Sequence, residues 1–197
     1  MIAFTRGKIH EKYPTHVILD VNGIGYELKI SLSTYSDIKE LDETQLHTHF
    51  HVKEDAQTLY GFSQESEKQR FLDLISISGV GPSTALMILS SLSPEELQAA
   101  IVQENITLIK GVKGIGLKTA QRIVLELKDK MKKEGLLDRV VEIPAKNDNT
   151  ITSEALSALM TLGISKPAAE KTINQIVKEY GPDIKLEELI KLALKRA

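Results

Sequence analysis

Two glycine pairs carry the clearest chemistry in this sequence, Gly79-Val80-Gly81 and Gly114-Ile115-Gly116, each set between apolar stretches with helical spacing. A Gly-x-Gly between two helices makes a tight turn, and the helix after it opens with backbone N–H groups that have no intrahelical acceptor. The helix dipole adds partial positive charge at the same place, and glycine has no side chain to hold an anion off, so a phosphate can approach the backbone closely. Contacts of this kind read no bases. The candidate phosphate-facing residues are therefore Gly79, Gly81, Ser83 and Thr84 in the first turn and Gly114, Ile115, Gly116, Lys118 and Thr119 in the second. Arg122, four residues beyond Lys118 on the same helical face, is a further DNA-binding candidate, and Lys113 adds charge just before the second turn.

A lone Gly-x-Gly has a plainer reading, the end of one helix and the start of the next. Duplication argues against it. Ser78-Gly-Val-Gly-Pro-Ser-Thr-Ala85 returns 35 residues later as Lys113-Gly-Ile-Gly-Leu-Lys-Thr-Ala120, and each copy follows and precedes an apolar helical pattern. Neither copy is a nucleotide-binding loop, because the second glycine of that motif falls five residues after the first and is followed by Lys and Ser or Thr, and a strand must come before it.

The formal net charge of −2 is unusual for a chain that grips phosphates. The charge is uneven, however. Between Ile106 and Lys133 eight basic residues face two acids, whereas residues 1–62 hold six basic and nine acidic groups. The second Gly-x-Gly thus sits in a locally basic stretch. The run Lys128 to Lys133 reads equally as a DNA contact or a solvated helix end.

The elements that must position these turns follow from patterning. Residues 1–62 read as short strands, Ile2 to Glu11, Thr15 to Val21, Gly25 to Leu32, Gln45 to Lys53 and Gln57 to Phe62, with a hairpin at Asn22-Gly23 and a polar stretch after Leu32. Five such strands predict a small barrel of the OB type. Residues 63–140 switch to helical spacing, with a helix start at Ser93-Pro94-Glu95-Glu96, and imply about five short helices. A connection at 141–151 contains Pro144 and clustered turn formers, which predicts flexibility. Residues 152–197 predict three helices, Ser153 to Leu162, Lys166 to Tyr180 and Leu186 to Lys195. The expected fold class is α+β: an OB-like five-stranded barrel, an all-α double helix-hairpin-helix domain and a C-terminal three-helix module.

The chain resembles the RuvA family of Holliday junction-binding proteins in the opening Met1-Ile2 with Gly7, in Val52-Lys53-Glu54-Asp55-Ala56-Gln57-Thr58-Leu59-Tyr60-Gly61-Phe62, in both hairpins and in the detached third module, all in the same order. The resemblance implies a subunit without enzymatic activity that holds a four-way junction open and recruits the ring ATPase RuvB for branch migration in recombination and DNA-damage repair. It also implies the junction resolvase RuvC as a partner and a homotetramer, with an octamer on DNA as the alternative. Ser83 and Leu117 stand where a Lys is common in such proteins, which makes the first hairpin more dependent on backbone donors. Locally, Glu54-Asp55 is an ordinary exposed hairpin tip. The resemblance instead implies an acidic pin at the centre of the tetramer, and it makes the third module the ATPase-binding domain. There Leu156, Leu159, Met160, Leu162 and Ile164 exceed what a small three-helix core must hide, so Leu159, Leu162 and Ile164 are expected to face the partner.

Other chemistry is poorly supported. His47, His49 and His51 alternate on one strand and could in principle gather a metal, but Leu46, Thr48, Phe50 and Val52 on the opposite face supply the barrel core, which leaves the histidines to solvent or an interface. No metal or other cofactor is expected. With no Cys in the chain, disulfides, thiolate metal sites and Cys nucleophiles are impossible. A helix-hairpin-helix glycosylase or nuclease would need a catalytic Asp beyond its hairpin and aromatic stacking groups, whereas Asp129 lies in a Lys-rich helix and Trp is absent. A scaffold that uses the hairpins only for packing would show no salt-dependent DNA affinity. The start of the sequence has no continuous apolar signal core, and a cytoplasmic location is expected.

Overall fold

The computed structural model describes residues 2–141, 148–181 and 184–196. The strands β1 (Phe4–Tyr13), β2 (His16–Val21), β3 (Ile24–Lys29), β4 (Glu43–Val52) and β5 (Gln57–Phe62) close into a barrel in the order β1-β2-β3-β5-β4, antiparallel except where β3 meets β5. Alternation explains its interior. Val17, Leu19, Leu28 and Leu46 point inward and are fully buried, and Thr5 and Thr48 satisfy each other's hydroxyls at 3.1 Å.

Two features depart from the sequence reading. The polar stretch after β3 is a helix, α1 (Leu32–Ile38), capped by Ser31, whose hydroxyl accepts the Thr34 N–H at 3.0 Å. Leu32, Tyr35 and Ile38 recur at helical spacing, and Tyr35 and Ile38 pack into the barrel core. Val52, expected inside the barrel, is 56% exposed. The registers explain this: β1 pairs with β4 only as far as His47 and β3 meets β5 only at Leu59 and Tyr60, so His51 and Val52 pair with Thr58 and Gln57 in a two-stranded ribbon beyond the closed part of the barrel.

Helices α2 (Glu65–Ile75), α3 (Pro82–Ser91), α4 (Pro94–Val102), α5 (Ile106–Lys110) and α6 (Leu117–Val141) follow. The start expected at Ser93 is a full capping box, with the Ser93 hydroxyl accepting the Glu96 N–H at 3.1 Å and the Glu96 carboxylate accepting the Ser93 N–H at 2.9 Å. At Ser63 strand gives way to helix, and the barrel and the helices have separate hydrophobic cores that meet at β5. Tyr60 and Phe62 of β5 enter the core of the helices, with the Phe62 and Phe71 rings 4.9 Å apart, and residues 1–135 form one compact unit. Asp73 on α2, almost wholly buried, pairs with Arg70 at 2.9 Å and with Lys130, and so fastens α6 to α2.

Glu67 marks the seam between barrel and helices. It is 2% exposed and accepts hydrogen bonds from the Ser31 hydroxyl and, at 2.6 Å, from the Thr34 hydroxyl. Burial pushes its carboxyl above the usual range, although both hydroxyls work in the other direction. In the window between the ordinary carboxylate pKa and the raised one, the folded state holds a proton that the unfolded state has lost, so stability falls as pH rises. The expected result for Glu67→Gln is a flatter stability profile across that window in denaturant titrations at stepped pH. A profile as steep as wild type would refute the assignment.

The second compact unit, residues 136–197, contains α7 (Asp148–Thr161), α8 (Lys166–Tyr180) and α9 (Leu186–Arg196), close to the three expected helices. Ala155, Leu159, Ile173, Ile176 and Leu189 are its core. Of the connection expected at 141–151, residues 142–147 lie outside those described, Val141 ends α6, and Asp148, Asn149 and Thr150 already form the first turn of α7.

Candidate nucleic-acid interface

The two Gly-x-Gly segments fold alike, residue for residue. Gly79 has φ 91° and Gly114 φ 85°, backbone that other residues rarely adopt, and this lets each preceding helix reverse. In the first turn Val80 N–H donates to the Ile77 carbonyl at 3.0 Å, and in the second Ile115 N–H donates to the Val112 carbonyl at 3.1 Å. The middle residues Val80 and Ile115 point into the shared core. Ile115 therefore does not belong among the phosphate-facing residues: its side chain is buried and its N–H is used within the turn, so it anchors the loop.

The groups left facing outward are the first N–H groups of α3 and α6. The helical ladder begins with Ala85 N–H to Gly81 O at 2.9 Å and Ala120 N–H to Gly116 O at 3.0 Å, which leaves the N–H groups before them outside it. No side chain caps α3. Pro82 at its first position removes one donor that Leu117 keeps in α6, so the first hairpin is weaker in backbone donors as well as in charge. A side-chain carbon built on Gly81 or Gly116 would meet nothing within 4 Å, and neither residue needs positive φ. Nothing inside the molecule requires glycine there, whereas an anion resting on the backbone would. Ser83 and Lys118 are exposed beside these turns, and Thr84 and Thr119 are half-buried.

The basic stretch is less available than its composition implies. Lys128 pairs with Glu104 and Lys130 with Asp73, which accounts for half of the run 128–133 in structural terms. Arg122 lies 3.5 Å from Glu126 and also donates to the Ser78 carbonyl at 2.8 Å. Among the described residues Lys113 and Lys118, both exposed, have no acidic partner and remain the free cations beside the second turn. Glu54 and Asp55 form the exposed tip of the β4–β5 ribbon, closed by Lys53 N–H to Ala56 O at 2.8 Å.

Two of the three strand histidines meet α2. His47 Nδ1 lies 2.5 Å from Glu65, and the His49 ring packs 5.6 Å from that of Phe71. His49 is harder to protonate than an ordinary histidine because of burial, with His51 and Lys68 adding to the effect. The Nε2 atoms of His49 and His51 are buried without a partner, and no cluster of three metal-ligating groups exists among the described residues. In the second unit, Leu159 corrects the sequence reading: it is fully buried and belongs to the core. Leu162, 60% exposed, is open to a partner, whereas Ile164 is partly buried against the core. Among the described residues no helix is long and apolar enough to cross a membrane.

Comparison with known proteins agrees with this architecture along the whole chain. The profile described as RuvA N terminal domain matches residues 1–61, that of the SAM-like helix-hairpin-helix tandem residues 71–129, and that of the RuvA C-terminal domain residues 150–197. The Holliday junction branch migration complex subunit RuvA of Cytophaga hutchinsonii is 52% identical over 198 residues, 99% of each chain. The proteins of the same description from Amoebophilus asiaticus and Christiangramia forsetii are 49% and 48% identical, covering 99% and 100% of this chain and 100% of their own. A barrel whose β5 packs into a tandem of helical hairpins, a separate helical unit after them, and identity near one half from end to end make this chain a member of the RuvA family.

Proposed function

We propose that the chain is a DNA-binding subunit of a branch-migration complex, without enzymatic activity of its own, that recognises four-way junctions through phosphate-backbone contacts and holds them open. The observation that carries this is the pair of superimposable turns 35 residues apart, each ending in an exposed helix N-terminus behind a glycine that the interior does not need. Gly79, Gly81, Ser83 and Thr84, and Gly114, Gly116, Lys118 and Thr119, form the grip. The relatives' description as Holliday junction branch migration complex subunits supports junction DNA as the substrate and partners within that complex; the family resemblance makes those partners a RuvB-type ring ATPase, recruited through the second unit, and a RuvC-type resolvase. Assembly as a tetramer, or as two tetramers enclosing the junction, brings four ribbon tips to one centre.

At that centre Glu54 and Asp55 discriminate by charge. A continuous duplex laid across it places phosphates against the acids, while an open junction leaves a hole they can occupy. The test titrates a four-way junction and a linear duplex of equal length over a range of salt. Wild type is expected to prefer the junction, with affinity for both falling steeply as salt rises. Glu54→Gln with Asp55→Asn is expected to raise duplex affinity more than junction affinity, and the two proteins should converge as screening shortens toward about 8 Å near physiological salt. Equal wild-type affinity for both DNAs would remove the junction reading, and an unchanged ratio in the variant would reduce Glu54 and Asp55 to a hairpin tip.

A further inference from the structure

The two hairpins are unequal in charge. The second has Lys113 and Lys118, whereas the matching positions of the first hold Ser78 and Ser83, and Pro82 costs it a backbone donor. Arg122, by its place in the chain, belongs to the second hairpin, one turn along α6 from Lys118. Its side chain leaves that hairpin. The guanidinium Nη1 donates at 2.8 Å to the carbonyl of Ser78, the residue before Gly79, across 44 positions of sequence. Met87, at the exposed edge of α3, extends toward the second turn, its Cε 3.4 Å from where a side-chain carbon on Gly114 would stand. Met87 occupies, 35 residues earlier, the position equivalent to Arg122, so from the same helical site each hairpin directs a side chain toward the other's turn.

We propose that Arg122 is a positioning residue for the first hairpin, fixing the turn at residues 78–81 and placing there the positive charge which that hairpin lacks. The carbonyl of Ser78 lies in the turn between α2 and α3, outside both helical ladders, and a guanidinium satisfies it while the Arg122 side chain stays half-exposed. Glu126, at 3.5 Å from Nε, holds the side chain from the other side. The two turns then present their donors at one spacing, and a duplex that meets one meets the other without further ordering of the loop. This role rests on the phosphate-grip reading above.

The test is a double-mutant cycle on the full-length protein, combined with hydrogen exchange in the absence of DNA. Arg122→Gln is expected to weaken junction binding about tenfold, the scale of one charge-assisted contact. In a Gly81→Val background, where the first hairpin is already blocked, the same change is expected to cost less than about twofold, whereas in a Gly116→Val background its full effect remains. Amide exchange at residues 79–81 in the free variant is expected to speed up. Coupling to Gly116→Val, or equal coupling to both glycines, would make Arg122 an ordinary contact of its own hairpin or a general stabiliser and overturn the proposal, as would unchanged exchange at 79–81. Faster exchange with neither glycine variant altering DNA affinity would overturn the phosphate grip itself, and with it the role of Arg122 on DNA, while leaving the hairpin tie in place. Arg122→Lys carries the same cycle if the Gln variant melts early, since it keeps the charge without the planar fork.

Discussion

Replacing both Gly81 and Gly116 with valine is expected to weaken four-way-junction binding by at least about a hundredfold. A helix N-terminus offers an anion several N–H groups, and each charge-assisted hydrogen bond contributes about 1.5–3 kcal/mol. Blocking one such contact at each hairpin therefore costs about 3 kcal/mol or more, which corresponds to roughly two decades in affinity. The fold should tolerate the change, because the space at both positions is open and neither needs positive φ. This separates them from Gly79 and Gly114, where a side chain would strain the turn, so loss of binding there would not distinguish a broken loop from a blocked phosphate. Gly81 has an extended backbone, φ −86° and ψ 168°, that suits a β-branched residue, although valine is a poorer helix cap. Circular dichroism and melting establish that the variant is folded, and fluorescence anisotropy on a labelled junction gives the affinity. A folded double variant within threefold of wild type would end the claim that these turns hold DNA.

A chain ending at Val141 is expected to bind junctions within about twofold of wild type yet give no stimulation of the ring ATPase and no branch migration, the scale of effect that follows when a docking module is removed whole. Residues 1–135 close their own cores, and both turns and the acidic tip lie within them. The second unit has a separate core around Leu159, Ile173 and Leu189, with Leu162 left in solvent and Met160 47% exposed beside it. The expected partner surface is thus narrower than composition implied. Leu162→Ala should reproduce much of the truncation in an ATPase assay without lowering the melting temperature, whereas Leu159→Ala should unfold the unit, at a cost of about 2–5 kcal/mol for an emptied core site. Undiminished branch migration by the truncated chain would refute the docking role.

What the amino-acid sequence by itself determined is local in the chain. Alternating residues on β2, β3 and β4 set which face is inward; the apolar period and the Ser93 capping box set the helices; a repeat at 35 residues set the pair of turns and their glycines. These properties depend on neighbours within a few positions, so periodicity and turn chemistry suffice to read them. The helix α1 was legible on the same terms, from Ser31 and the spacing of Leu32, Tyr35 and Ile38, but polar residues between them obscured it.

Only the tertiary structure decided which buried face meets which neighbour. Leu159 and Leu162 are three residues apart and equally apolar, yet one fills the core and the other faces water, because packing of α8 and α9 closes over only one side of α7. Val52 continues the inward alternation of β4 but leaves the barrel because β1 ends its pairing at His47. Lys128 and Lys130 look like free cations until Glu104 and Asp73, 24 and 57 residues away, come to neutralise them. Arg122 is the sharpest case, since its sequence neighbours assign it to one hairpin and its hydrogen bond to the other. A side chain of that length reaches across an interface whose geometry is set by the apolar core beneath both turns, and no spacing along the chain encodes the distance it has to span.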